Sequence, residues 1–229
     1  MSTHQKTRAV VCLSGGMDSA VCATLAAREH EVFALHFSYG QRTEQRELQS
    51  ARAIAEALGI QKFLALRMDL FRQIGGSALT DASIAIPDAP PTAEIGAQIP
   101  VTYVPFRNAH FLSAAVSWAE VVGAEKIYIG AVEQDSSGYP DCRPAYYQAF
   151  QQLIRTGTRD GHIDVVTPLI ALKKSQIVRL GMELSAPFAA TWSCYAEPSA
   201  ACGKCESCAL RLRAFADAGV SDPIPYSSL

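Results

Sequence analysis

The sequence predicts an α/β fold: a parallel sheet of about five strands with helices on both faces, carrying a small C-terminal metal-binding appendix. Three observations point there. Short β-rich runs alternate with longer helical stretches, a glycine turn links the first strand to the first helix, and four cysteines gather near the C-terminus.

The elements follow in order. The apolar run Ala9-Val10-Val11-Cys12-Leu13 makes 8–13 the first strand, and the helix-like stretch after the glycine turn makes 19–29 the first helix. Residues 31–37 form the second strand, 43–58 a helix and 62–66 the third strand. A helix at 108–122 leads into a strand at 126–130, and a helix at 144–156 into a strand at 163–167. Helices at 175–184 and 209–218 complete the chain. Strands and helices alternating at this spacing build βαβ units, so ligands belong beyond the carboxyl ends of the strands. Residues 71–100 break the alternation. Gly75-Gly76, Pro87, Pro90-Pro91 and Pro100 punctuate them into turns, so a long loop or lid near the site is expected, with Ile84, Ile86, Ile95 and Ile99 packing parts of it down. The domain division expected is 1–190 for the nucleotide-binding unit and 191–229 for the appendix packed on it.

Composition narrows the function. The 229 residues suffice for a well-buried core, and the net charge of −2 with no basic run argues against a nucleic acid held through its phosphates. No apolar run is long enough for a membrane span, and the run after the polar N-terminus is too short for a signal peptide. The expectation is a cytoplasmic homodimer whose cysteines serve metals or catalysis more than disulfides.

The turn Ser14-Gly15-Gly16-Met17-Asp18-Ser19 reads as a phosphate cradle. Adjacent glycines let the backbone approach an anion, and the following helix aims its unpaired N–H groups and positive dipole end at the same spot. Ser14 and Ser19 add hydroxyl donors, and Asp18 is placed for Mg²⁺ or for the helix start. Leu13 through Ser19 therefore form the expected ATP-binding stretch. It lacks the Lys-Ser/Thr pair of a Walker A loop and the three spaced glycines of a dinucleotide fingerprint. A serine–glycine turn that only caps a helix has the same composition, but its place after the first strand favours a nucleotide.

Near the C-terminus stand Cys194, Cys202, Cys205 and Cys208, the last three spaced C-x2-C-x2-C with Gly203 in the tight turn. Four thiolates suit tetrahedral Zn²⁺ and leave no open position for a catalytic water, so the zinc would be structural. A redox dithiol or an iron–sulfur cluster shares part of the spacing, but no further cysteine follows downstream as the cluster run requires. Cys12 and Cys22 read as core, and Cys142 as packing.

The Ser-Gly-Gly-x-Asp-Ser loop resembles the pyrophosphate loop of the ATP pyrophosphatases (adenine nucleotide alpha hydrolase-like fold), which split ATP between its α- and β-phosphates. Loop and cysteines alone also suit an ammonia-using amide ligase, a tRNA thiolase or a zinc-dependent ATP-binding module. Three further runs narrow the choice: Thr102-Tyr-Val-Pro-Phe-Arg107-Asn108, Gly130-Ala-Val-Glu-Gln-Asp135-Ser-Ser-Gly-Tyr-Pro-Asp141-Cys-Arg143, and Thr191-Trp-Ser-Cys194-Tyr. With Tyr39-Gly40-Gln41-Arg42, they resemble the 7-cyano-7-deazaguanine synthase family over essentially the whole chain. The chain departs from that family's usual pattern at Phe106 (usually Gly), Thr43 (often His) and Gln176 (usually Glu).

The resemblance implies an ATP-dependent enzyme of queuosine biosynthesis that turns 7-carboxy-7-deazaguanine and ammonia into a nitrile through an acyl adenylate and an amide. It further implies roles residue by residue. Asp18, Lys174, Arg107 and Asp135 would be catalytic; Arg107, Asn108, Asp135, Asp141 and Arg143 would bind substrate; ATP would enter with Mg²⁺.

Overall fold

The alternation of side chains along the first strand sets the layering. Ala9, Val11 and Leu13 point into one core while Val10 and Cys12 point into another, so the strand is covered on both faces. The computed structural model describes residues 6–90, 98–133 and 138–227. In it, β1 (Arg8–Cys12), β2 (Glu31–Ser38), β3 (Lys62–Arg67), β4 (Lys126–Ile129) and β5 (Asp164–Val166) form one sheet in the order β3-β2-β1-β4-β5. Every pairing is parallel.

The helices are α1 (Met17–Glu29), α2 (Glu44–Ala57), α3 (Leu70–Ile74), α4 (Arg107–Val122), α5 (Pro144–Gly157), α6 (Lys174–Glu183) and α7 (Glu206–Ala218). Helices α1, α2, α6 and α7 close one core. Helices α4 and α5 close the other, where Ala109, Leu112, Ala115 and Ala119 make one stripe of α4. Small residues on that stripe bring the helix close to the sheet, and β1 and β2 are buried as the central strands of a doubly covered parallel sheet must be. Ala214 and Phe215 carry α7 into the α1 side of the core, so the C-terminal appendix is anchored in the main body.

The chain order reverses between β1 and β4, which lie side by side although the first three strands run outward in the opposite direction. Such a switch point opens a crevice at the carboxyl ends of the strands. Gly130, just past β4, keeps that crevice tight: a Cβ there would lie 2.9 Å from the Asp18 carbonyl, inside the first turn of α1.

The expected strands and helices all occur, with ends within three residues of expectation. Helix α7 begins earlier than expected because Cys205 supplies its extended N-cap. Two features differ in the 71–100 stretch. The five-residue helix α3 enters it, and Ser77, Ala78 and Leu79 are buried in place of a hanging lid. Backbone bonds from Ala78 N to Val101 O (2.8 Å) and from Ala89 N to Lys204 O (2.8 Å) tie it to its surroundings. Ile86 packs beside the cysteines, whereas Ile99 is exposed, which corrects the expectation that it packs down. Ile95 lies outside the described residues.

Candidate active site

The loop after β1 is held by its own hydroxyls and by two distant segments. Ser14 Oγ donates to Ser19 Oγ (3.0 Å), Ser19 Oγ lies 2.9 Å from Gly16 O, and Gly16 N donates to Ser14 Oγ (3.2 Å). Gly15 has φ +97°, and a Cβ on it would fall 2.5 Å from the carbonyl oxygen of Glu47 on α2. Glycine is thus demanded there by helix packing as well as by backbone conformation. Gly16 has ordinary dihedrals and lines the crevice, so its missing side chain leaves room for a ligand. Leu13 is fully buried, with its carbonyl receiving His36 Nδ1 at 3.0 Å, and supports the loop from behind. Burial lowers the His36 pKa, which favours the neutral ring.

Asp18 and Lys174, far apart in sequence, meet at the mouth of the loop as an ion pair. Lys174 is the first residue of α6, and the Lys173 N–H before it donates to Gln176 Oε1 (2.8 Å). The second carboxylate oxygen of Asp18 is buried and has no partner among the described residues. A buried, partnerless carboxylate oxygen beside a phosphate loop suits a hard cation such as Mg²⁺, which favours oxygen ligands.

The crevice has a volume of about 290 Å³, and Ser14, Gly16, Met17, Asp18, Ser19 and Lys174 form one end of its lining. Arg107 and Asn108 line it as well, placed by the start of α4. Arg107 Nη1 donates to Tyr39 Oη (3.0 Å), its guanidinium lies 5.6 Å from the Tyr39 ring and 5.8 Å from Phe111, and its buried Nε has no partner. No carboxylate reaches it among the described residues, so it is a cation provided with phenol and aromatic faces only. Phe37 and Phe111 stack at 4.0 Å and form an apolar wall.

Asp141 and Arg143 stand elsewhere. Asp141 is buried and caps α4, accepting the Asn108 N–H at 3.1 Å, while Asn108 Nδ2 returns a bond to Asp141 O (3.0 Å). Arg143 is exposed at the N-cap of α5, and neither residue belongs to the crevice lining. Asp135 lies outside the described residues. Cys142 does line the crevice; burial pushes its thiol up to about 11, which fits a packing thiol more than a nucleophile.

Sequence reasoning missed Glu47. It faces the crevice from the first turns of α2, with Oε2 accepting from Gln41 Nε2 (3.0 Å) and Oε1 from Thr43 Oγ1 (2.8 Å). Gln41 is itself fixed by the Tyr39 N–H at 2.8 Å, so the Tyr39-Gly40-Gln41-Arg42 turn works as a bracket for this carboxylate. The signal was present in the sequence: Glu47 continues the stripe of Ser50, Ala51, Ile54 and Ala55, which are buried at helical spacing. A charge on such a stripe faces the protein interior or a site.

The four cysteines form a second centre. The sulfurs of Cys194, Cys202, Cys205 and Cys208 all lie within 4.8 Å of one another, close to the edge of about 3.8 Å expected for four thiolates around zinc. Backbone N–H groups of Glu197 (3.3 Å) and Cys202 (3.4 Å) point at Cys194 Sγ, and those of Lys204 (3.4 Å) and Cys205 (3.3 Å) at Cys202 Sγ. Donors aimed at sulfur favour thiolates, so the donor set fits a metal ion. The segment that holds this centre touches the phosphate loop directly, because Trp192 N donates to Gly15 O (2.8 Å), and Thr43 Oγ1 lies 3.2 Å from Cys194 O, sharing between it and Glu47 the one proton it carries. Buried Arg211 braces the same segment, holding both Asp222 oxygens (2.7 and 2.9 Å) and Thr191 Oγ1 (2.8 Å).

A phosphate loop, an ion pair at its mouth and a guanidinium with no carboxylate partner among the described residues thus line one crevice, and Trp192, Ser193 and Tyr195 join it to the cysteine cluster behind. The family described as "Queuosine biosynthesis protein QueC" matches residues 8–219. The chain belongs to this family of enzymes. Among its QueC relatives, the 7-cyano-7-deazaguanine synthase of Acidobacterium capsulatum is 70% identical over 98% of this chain and 99% of its own. Those of Koribacter versatilis (65% identical; 96% of this chain, 93% of the relative) and Chlorobium chlorochromatii (58%; 96% of each) follow.

Two of this QueC chain's departures have local accounts. Gln176 accepts the N–H of Lys173 at the start of α6, a task a glutamine carbonyl performs as a glutamate would. Phe106 sits in the left-handed region (φ 57°, ψ 23°) as N-cap of α4, a conformation that favours glycine. Its ring is 60% exposed and does not line the crevice, so its cost falls on the backbone and it leaves pocket room unchanged. Phe106→Gly is therefore expected to stabilise the chain by about 1 kcal/mol, once relieved strain is set against glycine's extra unfolded-state freedom. A thermal melt should show Tm up by about 2–4 °C with KM values unchanged.

Proposed function

We propose that the chain converts 7-carboxy-7-deazaguanine and ammonia into 7-cyano-7-deazaguanine, using two ATP and releasing two AMP and two pyrophosphates. The observation that carries this reading is the shared crevice. It sets a pyrophosphate-type loop and the Asp18–Lys174 pair together with a guanidinium that has no carboxylate partner among the described residues. The near full-length likeness to named synthases supports the choice of substrate.

The chemistry asks for two activations. A carboxylate oxygen leaves poorly as oxide, so each oxygen is first made into a phosphate ester. Arg107 holds the substrate carboxylate where one oxygen can attack the α-phosphorus of ATP, while Ser14, Gly16 and Ser19 hold the β- and γ-phosphates. Charge grows on the departing pyrophosphate, and Lys174 meets it; stabilisation of this kind is usually the largest catalytic contribution. Asp18 would hold the Mg²⁺ that enters with ATP through the carboxylate oxygen that has no partner among the described residues. Ammonia displaces AMP to give the amide. The amide oxygen is adenylated in turn, and loss of AMP with a proton leaves the nitrile. Asn108 keeps Arg107 in place through the Asp141 cap, and Asp135 is proposed to accept the N–H groups of the deazaguanine ring. The cysteines would hold Zn²⁺, which supplies a cross-link and no open coordination position.

Counting products tests the proposal. Two AMP per nitrile, measured by chromatography with mass spectrometry of the product, is the expected result. One AMP with an amide product would instead make the chain an amide ligase, and no AMP or pyrophosphate would end the enzymatic reading.

A further inference from the structure

We infer that Glu47 is the ammonium site: its carboxylate, facing the crevice beside Arg107, binds the ammonium ion and takes the proton that frees ammonia for attack. The inference rests on the proposed reaction and assigns it a group that the loop, Lys174 and Arg107 leave missing.

The argument begins with the partners of Glu47. Each oxygen accepts one bond from a neutral donor, Gln41 Nε2 at 3.0 Å and Thr43 Oγ1 at 2.8 Å, and each keeps a further lone pair. Among the described residues no Lys, Arg or His lies within ion-pair distance of it. A half-buried carboxylate lining a crevice without a cation is costly, and a small cation from solution relieves that cost. Burial pushes the carboxyl above its ordinary range, while the Gln41, Thr43 and Arg107 contributions pull the other way. A carboxylate raised by burial is a better proton acceptor at neutral pH.

Position supplies the second half. Arg107 is close enough for its charge to be felt at Glu47, yet the two do not pair. Opposite charges lining one crevice without touching leave a gap for a small ligand between them. If Arg107 holds the substrate carboxylate, the carbon to be attacked lies on the side of that gap, where a nitrogen nucleophile must arrive. Tyr39 Oη, bonded to Arg107 at 3.0 Å, adds an oxygen acceptor to the same wall.

The proton count closes. Ammonium gives one proton to the Glu47 carboxylate, and the freed lone pair forms a C–N bond at the acyl carbon of the adenylate. The bond from that carbon to the AMP oxygen breaks, AMP leaves with the electron pair, and the nitrogen releases a second proton to water. Glu47 then returns its proton to solvent before the second adenylation.

Steady-state kinetics of Glu47→Gln with ammonium chloride as the varied substrate tests this. The amide keeps the bonding pattern with Gln41 or Thr43 but can neither attract ammonium nor accept its proton. The expected result is a KM for ammonium raised by tenfold or more and kcat lowered by about 10²-fold, the low end for a lost general base. KM for ATP and for the carboxy-deazaguanine should stay within twofold. The pyrophosphate burst of the first adenylation, measured without ammonium, should keep its amplitude and rate, which a merely structural defect next to Gly15 would not allow. Glu47→Asp, which keeps the charge on a shorter arm, should fall between and serves if the glutamine variant does not fold. An unchanged ammonium KM, or a raised KM for the carboxy-deazaguanine in its place, would overturn the inference. Absence of nitrile from the wild-type enzyme would instead sink the proposed reaction, so the two failures are separable.

Discussion

Replacing Lys174 with alanine is expected to slow AMP release in a single turnover by about 10²–10³-fold, the loss typical of removing one preorganised charge partner from a transition state. Lys174 is paired with Asp18, with side-chain exposures of 14% and 22% that leave the pair partly shielded from water. ATP brings several negative charges to the loop at this point, and the lysine has only to pivot from carboxylate to phosphate. Its root is firm because Lys174 opens α6, whose start is closed by the bond from Lys173 N to Gln176 Oε1. Asp18→Asn should lower the same rate through a different readout, raising the Mg²⁺ concentration needed for half-maximal turnover. The two residues touch, so their effects should not add, and the double variant should cost little more than the worse single one. Additive losses would mean that the ion pair is incidental. A wild-type rate in either single variant would remove that residue from the mechanism.

How much of this was legible in the sequence depended on the range of the interaction. The unit from β1 through the loop to α1 is local, with strand, turn chemistry and helix start written in consecutive residues, and it folds as expected. The five-strand sheet was legible for the same reason, because βαβ spacing leaves few alternatives. The cysteine cluster was legible because three of its members are neighbours in the chain. What the residues hid was side-chain direction across long separations. The remote cap that Asp141 makes on α4, with one oxygen accepting the Asn108 N–H and the other buried without a partner among the described residues, has no local signature. Phe106, where the family usually has Gly, turns its ring outward from a left-handed backbone. Glu47 went unread because a glutamate on a helix is ordinarily solvated, although its place on the stripe of Ser50, Ala51, Ile54 and Ala55 marked it. The bond from Trp192 N to Gly15 O joins residues near opposite ends of the chain, and no local pattern announces it.

That last bond leads to the other large effect. Cys205→Ser should abolish metal binding and lower Tm by about 10 °C or more. Structural zinc contributes roughly 10–16 kcal/mol in small domains. Even about a third of that, in a chain of this size, corresponds to such a shift. Helix α7 stays anchored in the main core through Ala214 and Phe215, but the knuckle itself has a small core, the cysteines with Trp192, Ala201 and Ile224, beside the buried Arg211–Asp222 ion pair. The loss should reach ATP before it reaches the sheet. Gly15 O is held by Trp192 N, and Thr43, which bonds Glu47, is tied to Cys194 O, so loosening the knuckle releases both the phosphate loop and the carboxylate beside it. In a chelator titration of the wild-type protein, ATP affinity should therefore fall in step with metal release while far-UV circular dichroism still reports the parallel sheet. Metal-free protein that binds ATP as tightly as before would show that the cluster and the loop are independent. Iron with visible absorption in place of zinc would overturn the assignment of the metal while leaving that coupling to be read from the same titration.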